Sequence, residues 1–368
     1  VLRKRFTIPQ IDTLRVLATL GIFMHHLWGD RGVSEGIATP LAFFCNLGQF
    51  GVVFFNFMTG FVLALPYLGY ECRPVPTWSQ FLQRRFLRIV PAYYLAVLLF
   101  AGLNEFVFRH PITPEGLLRL LKQMFFLQGW DPMSLSSNTA AYWYLTLLAE
   151  LYLVFPFVLR LFLRFQPRAA CLLLCGVSWT FTAVLALPPV ASHPLLQSLN
   201  PMIYFNLPAR LPEFAMGIWL AAAWKPGRAP SRGLPVDRSF LLFTIVLLSF
   251  AVPATPWTHQ ISLPLSLIYE VSCSLGVFVA LFLWTPMARL GQSVPLKRLS
   301  LASYGIYLVH QPLFSYWSNF FVTERAPMGW FALSFAVLAP VAYLLGRNLE
   351  PAAALVMTLP ARLMNKRP

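Results

Sequence analysis

Apolar residues fall in this chain in blocks of about twenty, parted by short segments that hold most of the charge. An α-helix needs roughly 20 predominantly apolar residues to cross a bilayer core, and within that core only a helix or a closed barrel satisfies its own backbone. Ten runs are candidates, at approximately 11–28, 43–65, 86–108, 142–163, 169–187, 204–224, 240–252, 263–284, 301–321 and 328–345, of which the seventh is short and extends a few residues either way if it spans. The pattern predicts an all-α, polytopic integral membrane protein with about ten transmembrane helices, organised as a single transmembrane domain over 1–368. The first run is not a cleaved signal peptide, because it carries Asp12, Arg15, His25 and His26 and lacks a small-residue cleavage site.

Composition agrees: 58% of residues are hydrophobic and 11% charged, against about a quarter charged in a soluble protein, which excludes an ordinary soluble enzyme. The net charge of +15 is spread too thinly along the chain for a nucleic-acid partner. It matters instead through its distribution, since cytoplasmic loops of membrane proteins carry an excess of Lys and Arg. Ten spans put twenty basic residues on one side, in clusters at 3–5, 73–88, 160–168, 225–238, 289–298 and 362–367, and five on the other: Arg31, Arg109, Arg119, Lys122 and Arg325. Both termini are therefore expected in the cytoplasm, in a multi-pass protein of the plasma (inner) membrane. The chain starts at Val1, so residues are expected to precede it.

The connections are short, leaving no room for a separate soluble domain. The longest, 109–141, lies outside; Thr113 as N-cap, Pro114 at the first helical position and one apolar face predict a helix at the membrane interface. The cytoplasmic stretch 225–238, with two Gly and three Pro, reads as a flexible linker. No internal repeat of the inverted-transporter kind is visible. The five cysteines show no CxxC and read as buried thiols, neither a disulfide framework nor a metal site.

Ionisable side chains inside a bilayer cost about 3 kcal/mol each on insertion scales, which makes each a functional candidate. The first span holds the densest set. Arg15 and His26 are eleven residues apart, which on a helix sets them within about 20° of one face and about 16 Å apart along the axis. Such a pair lines one cavity, or Arg15 snorkels to headgroups while the histidines bond neighbouring helices; the spacing alone leaves both open. Asp12 can pair with Arg15, and His25 is turned about 80° from the Arg15 face. Further buried candidates are Glu150, Arg210 with Glu213, Glu270, and His310 with Tyr307. Arg210 and Glu213 have the spacing of a helical ion pair, structural or substrate-contacting.

Six segments carry a family resemblance in order along 11–312. They are Ile11-Asp12-Thr13-Leu14-Arg15 with His26, Gly48-Gln49-Phe50-Gly51-Val52-Val53-Phe54-Phe55 through Thr59-Gly60-Phe61, and Phe81-Leu82-Gln83-Arg84-Arg85-Phe86-Leu87-Arg88-Ile89-Val90-Pro91. Trp143-Tyr144-Leu145-Thr146 with Glu150, Tyr152 and Pro156, Arg210-Leu211-Pro212-Glu213-Phe214 with Gly217, and Ser303-Tyr304-Gly305-Ile306-Tyr307-Leu308-Val309-His310 complete the set. Together they resemble the acyltransferase 3 family, integral membrane enzymes that acylate, most often acetylate, hydroxyls of carbohydrates and related acceptors. Thr59 stands where the family pattern has Ser, Asn56 where it has an aromatic, and the family's acidic residue in the fourth span falls nearer Leu148 and Ala149 than Glu150.

The resemblance implies a ten-helix core, acyl-CoA (acetyl-CoA by default) as a donor substrate taken from the cytoplasm, no permanently bound cofactor, and an acceptor hydroxyl at the outer face. On that footing His26 is the expected general base and Arg15 its partner on the same face. Arg84, Arg85 and Arg88 are expected to bind the phosphates of the donor, with topological anchoring as their other reading. Asp12, Glu150, Arg210, Glu213, Tyr307 and His310 remain secondary candidates. Direct transfer is expected, because no Ser or Cys stands in a nucleophile-elbow pattern. The acceptor is open among exported polysaccharides, peptidoglycan and glycosylated metabolites, and oligomeric state is open. A secondary transporter or a glycan-export accessory protein is the different-class reading, separable by whether donor is consumed.

Overall fold

The computed structural model describes residues 8–29, 45, 48–69, 72–107, 113–131, 139–224, 263–321 and 328–364. The predicted span 240–252, the linker 225–238, His110 and His259 lie outside these residues, as does the side chain of Glu270.

The described chain is helical, with no strand among these residues. Helix α1 is Pro9–Gly29, α2 is Gly51–Leu68, α3 is Trp78–Gly102, α4 is Pro114–Met124, α5 is Trp143–Arg164 and α6 is Pro167–Leu185. Then follow α7 (Pro194–Phe205), α8 (Leu207–Ala223), α9 (Leu263–Leu283), α10 (Thr285–Gln292), α11 (Val294–Phe321) and α12 (Met328–Met364). Among the described residues five helices are long and apolar enough to cross a membrane, at Gly51–Leu68, Trp78–Glu105, Ala140–Arg164, Pro167–Leu185 and Trp330–Met357; the bent pair around 274–292 would make a sixth. This is a multi-pass membrane protein. Helices α1, α8 and α11 stand outside that set because length or polarity removes them. They hold Asp12, Arg15 and His26, then Arg210 and Glu213, then Ser300 and His310.

Several boundaries differ from the hydropathy pattern for local reasons. Helix α3 begins eight residues before the predicted 86, because Thr77 caps it by accepting from the Gln80 amide at 3.4 Å. The arginines at 84, 85 and 88 are thus on the helix itself and not in the connection before it. The connection between the predicted spans 169–187 and 204–224 is helical, as a turn at Pro188–Ala191 followed by α7, each opened by a proline. Helix α4 is capped as expected, with the Thr113 hydroxyl accepting from the Gly116 amide at 3.1 Å. Its leucines 117, 118 and 121 are exposed while Gln123 is buried, so its apolar face is turned outward.

The chain divides into two compact units, each with its own core. In the unit of Val1–Ile22, Leu47–Val75 and Phe157–Ser300, α2 and α8 approach backbone to backbone through glycine. A Cβ at Gly60 would lie 2.2 Å from the Phe214 carbonyl oxygen, and one at Gly217 would lie 2.2 Å from that of Phe57. Phe57, Phe61, Phe278, Phe282 and Trp224 pack beside this crossing, with Phe61 and Phe282 ring centres 5.5 Å apart. Where the surrounding lipid is as apolar as the side chains, such close packing replaces the hydrophobic effect as the force between helices.

The unit of Phe23–Asn46, Pro76–Pro156 and Leu301–Pro368 uses the same device. A Cβ at Gly305 of α11 would meet the Gly346 carbonyl oxygen of α12 at 2.0 Å. That contact explains why α12 continues past the predicted 345 through Gly346, where this residue is an approach point and not a break. Phe81 packs on Tyr152 and Phe155, and Phe23 on Phe314 and Phe335.

Gly217→Ala and Gly60→Ala should each lower stability by about 1–3 kcal/mol by forcing the two backbones apart. Gly176→Ala, whose added Cβ meets nothing within 4 Å, should be neutral or stabilising by up to about 1 kcal/mol. Thermal unfolding of the three variants in detergent micelles provides the comparison.

Candidate active site

Three polar clusters contain most of the residues singled out from the sequence. The first surrounds the imidazoles of α1 and α11. His26 Nδ1 lies 2.8 Å from His310 Nε2, and His310 Nδ1 lies 2.6 Å from the Tyr307 carbonyl oxygen. The two imidazoles stack, with centres 5.0 Å apart and planes at 26°. Phe23, Phe314 and Tyr307 surround His310, which is 1% exposed, whereas His26 keeps part of its surface accessible. The His25 ring is 5.5 Å from that of His26 and reaches the Cys45 backbone.

The segment carrying Tyr307 and His310 is pinned to the start of α5. The Tyr307 hydroxyl donates to the Ala141 carbonyl, the Tyr142 hydroxyl donates to the Leu308 carbonyl at 2.6 Å, and the Gln311 side chain accepts from the Ala141 amide. Neither Tyr142 nor Gln311 stood out in the sequence, because each acts through a partner more than 160 residues away.

The second cluster holds Arg15. Ser300 accepts from Arg15 Nη1 at 3.1 Å and donates to Asp12 Oδ1 at 2.6 Å, while Arg15 and Asp12 stand 3.6 Å apart. The spacing expectation that Asp12 pairs with Arg15 is met, and Ser300 closes the triangle. Neither partner is deeply buried, at 26% and 24% exposed, so the Arg15 side chain stays partly accessible.

The third cluster is fully enclosed. Arg210 donates to Glu213 Oε1 at 2.8 Å and to the Tyr204 carbonyl at 3.0 Å, and stacks over the Tyr204 ring at 4.2 Å. Asn56 donates to the other carboxylate oxygen of Glu213. Asn56 is the residue that replaces an aromatic in the family pattern, and its amide supplies the hydrogen bond that a buried carboxylate oxygen needs. The pair is 4% and 0% exposed.

Glu150 lies elsewhere again, accepting from the Trp130 indole at 2.6 Å. With Gln128 donating to the Tyr142 carbonyl and the Gly129 amide donating to Thr146, this bond ties the segment after α4 onto α5. On α3, Arg84 and Arg88 are exposed, and Arg85 is half-buried against the Phe81 ring at 5.5 Å. Arg88 is within electrostatic reach of Glu350 on α12 and Tyr152 on α5.

A family model described as an acyltransferase domain matches residues 8–347, and so takes in all of these clusters. The chain belongs to the acyltransferase 3 family. This acyltransferase is similar to acyltransferase MdmB of Streptomyces mycarofaciens, at 27% identity over 327 residues that cover 82% of this chain and 78% of that protein. It is also similar to the peptidoglycan O-acetyltransferase OatA of Listeria monocytogenes, at 24% identity over 83% of this chain and 49% of that protein. The O-acetyltransferase OatA of Staphylococcus aureus is 23% identical over 93% of this chain and 56% of its own length. The chain spans about half the length of the two OatA proteins. No solved structure matches it.

Within this acyltransferase, Glu213→Ala should strand the buried Arg210 charge and lower stability by about 3–5 kcal/mol. Asp12→Ala, in a half-open pair, should cost no more than about 1 kcal/mol. Equal losses in detergent unfolding would show that the enclosure of the Arg210 pair does not govern its cost.

Proposed function

We propose that this acyltransferase moves an acyl group, acetyl by default, from cytoplasmic acyl-CoA to a hydroxyl of a carbohydrate or glycoconjugate acceptor at the outer face of the plasma (inner) membrane. The single transmembrane domain has ten spans and cytoplasmic termini in this reading, which the twenty-to-five split of basic residues supports. The O-acetyltransferase relatives support a hydroxyl acceptor and an acetyl donor.

The observation that carries the reading is an imidazole that keeps an accessible surface while its neighbour is buried and held. His26 as general base takes the proton of the acceptor hydroxyl as that oxygen attacks the thioester carbonyl. The tetrahedral intermediate collapses, the C–S bond breaks, and the coenzyme A thiolate leaves and takes up a proton. A base positioned in this way contributes roughly 10²- to 10⁴-fold in rate. Imidazole suits the step because it changes protonation near neutral pH.

Arg84, Arg85 and Arg88 supply guanidinium groups on the first turns of α3, where the charge distribution puts the cytoplasmic side. Guanidinium binds phosphate through two parallel N–H bonds, so this end of α3 suits the phosphates of the donor. Arg15 adds an accessible cation on the helix that carries His26. Tyr307 and His310 support His26, while Asp12 holds Arg15. The contacts of Glu150, Arg210 and Glu213 support a structural role for these three.

With isotopically labelled acetyl-CoA and membrane vesicles holding candidate glycan acceptors, the protein should release coenzyme A only when acceptor is present. His26→Asn should lower that rate by roughly 10²-fold or more while the protein stays folded in the membrane; near-normal turnover would remove His26 as the base. Arg85→Gln and Arg88→Gln should raise the donor KM about tenfold or more and leave the acceptor KM unchanged. An unchanged donor KM would assign these arginines to anchoring.

A further inference from the structure

We propose that His310 is a positioning residue that locks His26 in its Nδ1–H tautomer and so presents His26 Nε2 as the basic nitrogen. The inference rests on the general-base reading of His26 and adds which nitrogen acts and what selects it.

The argument is one of donors and acceptors. A backbone carbonyl only accepts, so the 2.6 Å contact between the Tyr307 oxygen and His310 Nδ1 requires the hydrogen on that nitrogen. A neutral imidazole carries one ring hydrogen, which leaves a lone pair on His310 Nε2. That lone pair faces His26 Nδ1 at 2.8 Å. Two lone pairs at this distance repel, so His26 Nδ1 carries its hydrogen and donates. The remaining nitrogen, His26 Nε2, is then bare and basic. Both hydrogens point the same way, from His26 through His310 to the backbone.

The two histidines cannot exchange roles. His310 is enclosed by Phe23, Phe314 and Tyr307, with the T-shaped Phe314 ring at 5.6 Å, and has no accessible face for a substrate. His26 retains accessible surface. The carbonyl that starts the chain is also held in place, because the Tyr307 hydroxyl, the Leu308 carbonyl and the Gln311 side chain each bond to residue 141 or 142. The sequence around His310 therefore anchors an acceptor, and His310 passes that orientation on to His26.

During transfer the acceptor O–H bond breaks and its proton forms the N–H bond at His26 Nε2, making an imidazolium. The Nδ1–H bond to His310 then becomes charge-assisted, and such bonds are roughly twice as strong as neutral ones. His310 keeps its own hydrogen throughout, and no proton moves beyond His26. The arrangement does for this imidazole what a carboxylate does in a serine-hydrolase triad, where loss of the correct tautomer costs about 10⁴-fold in kcat.

The test compares His310→Gln, whose side-chain carbonyl can accept from His26 Nδ1, with His310→Leu, which cannot accept. Turnover of labelled acetyl-CoA by membrane-embedded protein should fall by about 10²-fold in the Leu variant, in kcat with little change in either KM, and recover most of the way in the Gln variant. In parallel, ¹⁵N NMR of histidine-labelled protein, with the His26 signal assigned by its loss in His26→Asn, reads the tautomer without turnover. The expected result is a protonated Nδ1 and bare Nε2 at His26 in the wild type and the Gln variant, with mixed tautomers in the Leu variant. A wild-type His26 protonated at Nε2 overturns the proposal even if the Leu variant fails to fold. Equal loss of activity in both variants with an unchanged His26 tautomer also overturns it. An active His26→Asn with the tautomer pattern as expected would instead reject the general-base reading while leaving the His310 lock in place.

Discussion

Every buried polar group in this protein has to find its partner within the chain, because the bilayer supplies none. That constraint sorts the helices into two kinds. Those that are mostly apolar, such as α2, associate mainly through close packing, and the glycine crossing of α2 with α8 lets backbones touch where side chains could not. Those that fall short of apolarity, α1 and α11 above all, carry hydrogen-bonded clusters that compensate for their charge.

The clusters differ in how deeply they are buried. Arg210 and Glu213 are enclosed and saturated by Tyr204 and Asn56, as expected of a pair that holds helices together. Arg15 and His26 are hydrogen-bonded and only half-buried. Accessibility on an otherwise supported group is what binding or proton transfer requires. The proposed chemistry therefore falls on the half-buried groups, and the enclosed ones are assigned to architecture. The same distinction applies to Glu150, whose bond to Trp130 ties down a connection.

Much of this was legible from local pattern. The run of apolar blocks announces the helices, and the Thr113-Pro114 cap marks the start of α4 correctly; Thr77 starts α3 ahead of its apolar run, where hydropathy alone gives no signal. The continuation of α12 through Gly346 was not legible, because a glycine reads as a break until the opposing Gly305 is seen. Likewise Pro188 and Pro194 lie between two predicted spans and act as first-turn residues in helices.

For the site, the sequence by itself determined the residue types, their order, the i,i+3 pairings of Asp12 with Arg15 and of Arg210 with Glu213, and the clustering of basic residues between apolar runs. These follow from helix geometry and short-range electrostatics, which depend on neighbours along the chain. Only the tertiary structure decided the partners: Ser300 for Arg15, Asn56 for Glu213, Trp130 for Glu150 and His310 for His26. Of these, Ser300 and His310 lie more than 280 residues from the groups they contact. A hydrogen bond is set by a few tenths of an ångström and a direction, and no periodicity along one helix encodes where another helix will place its donor.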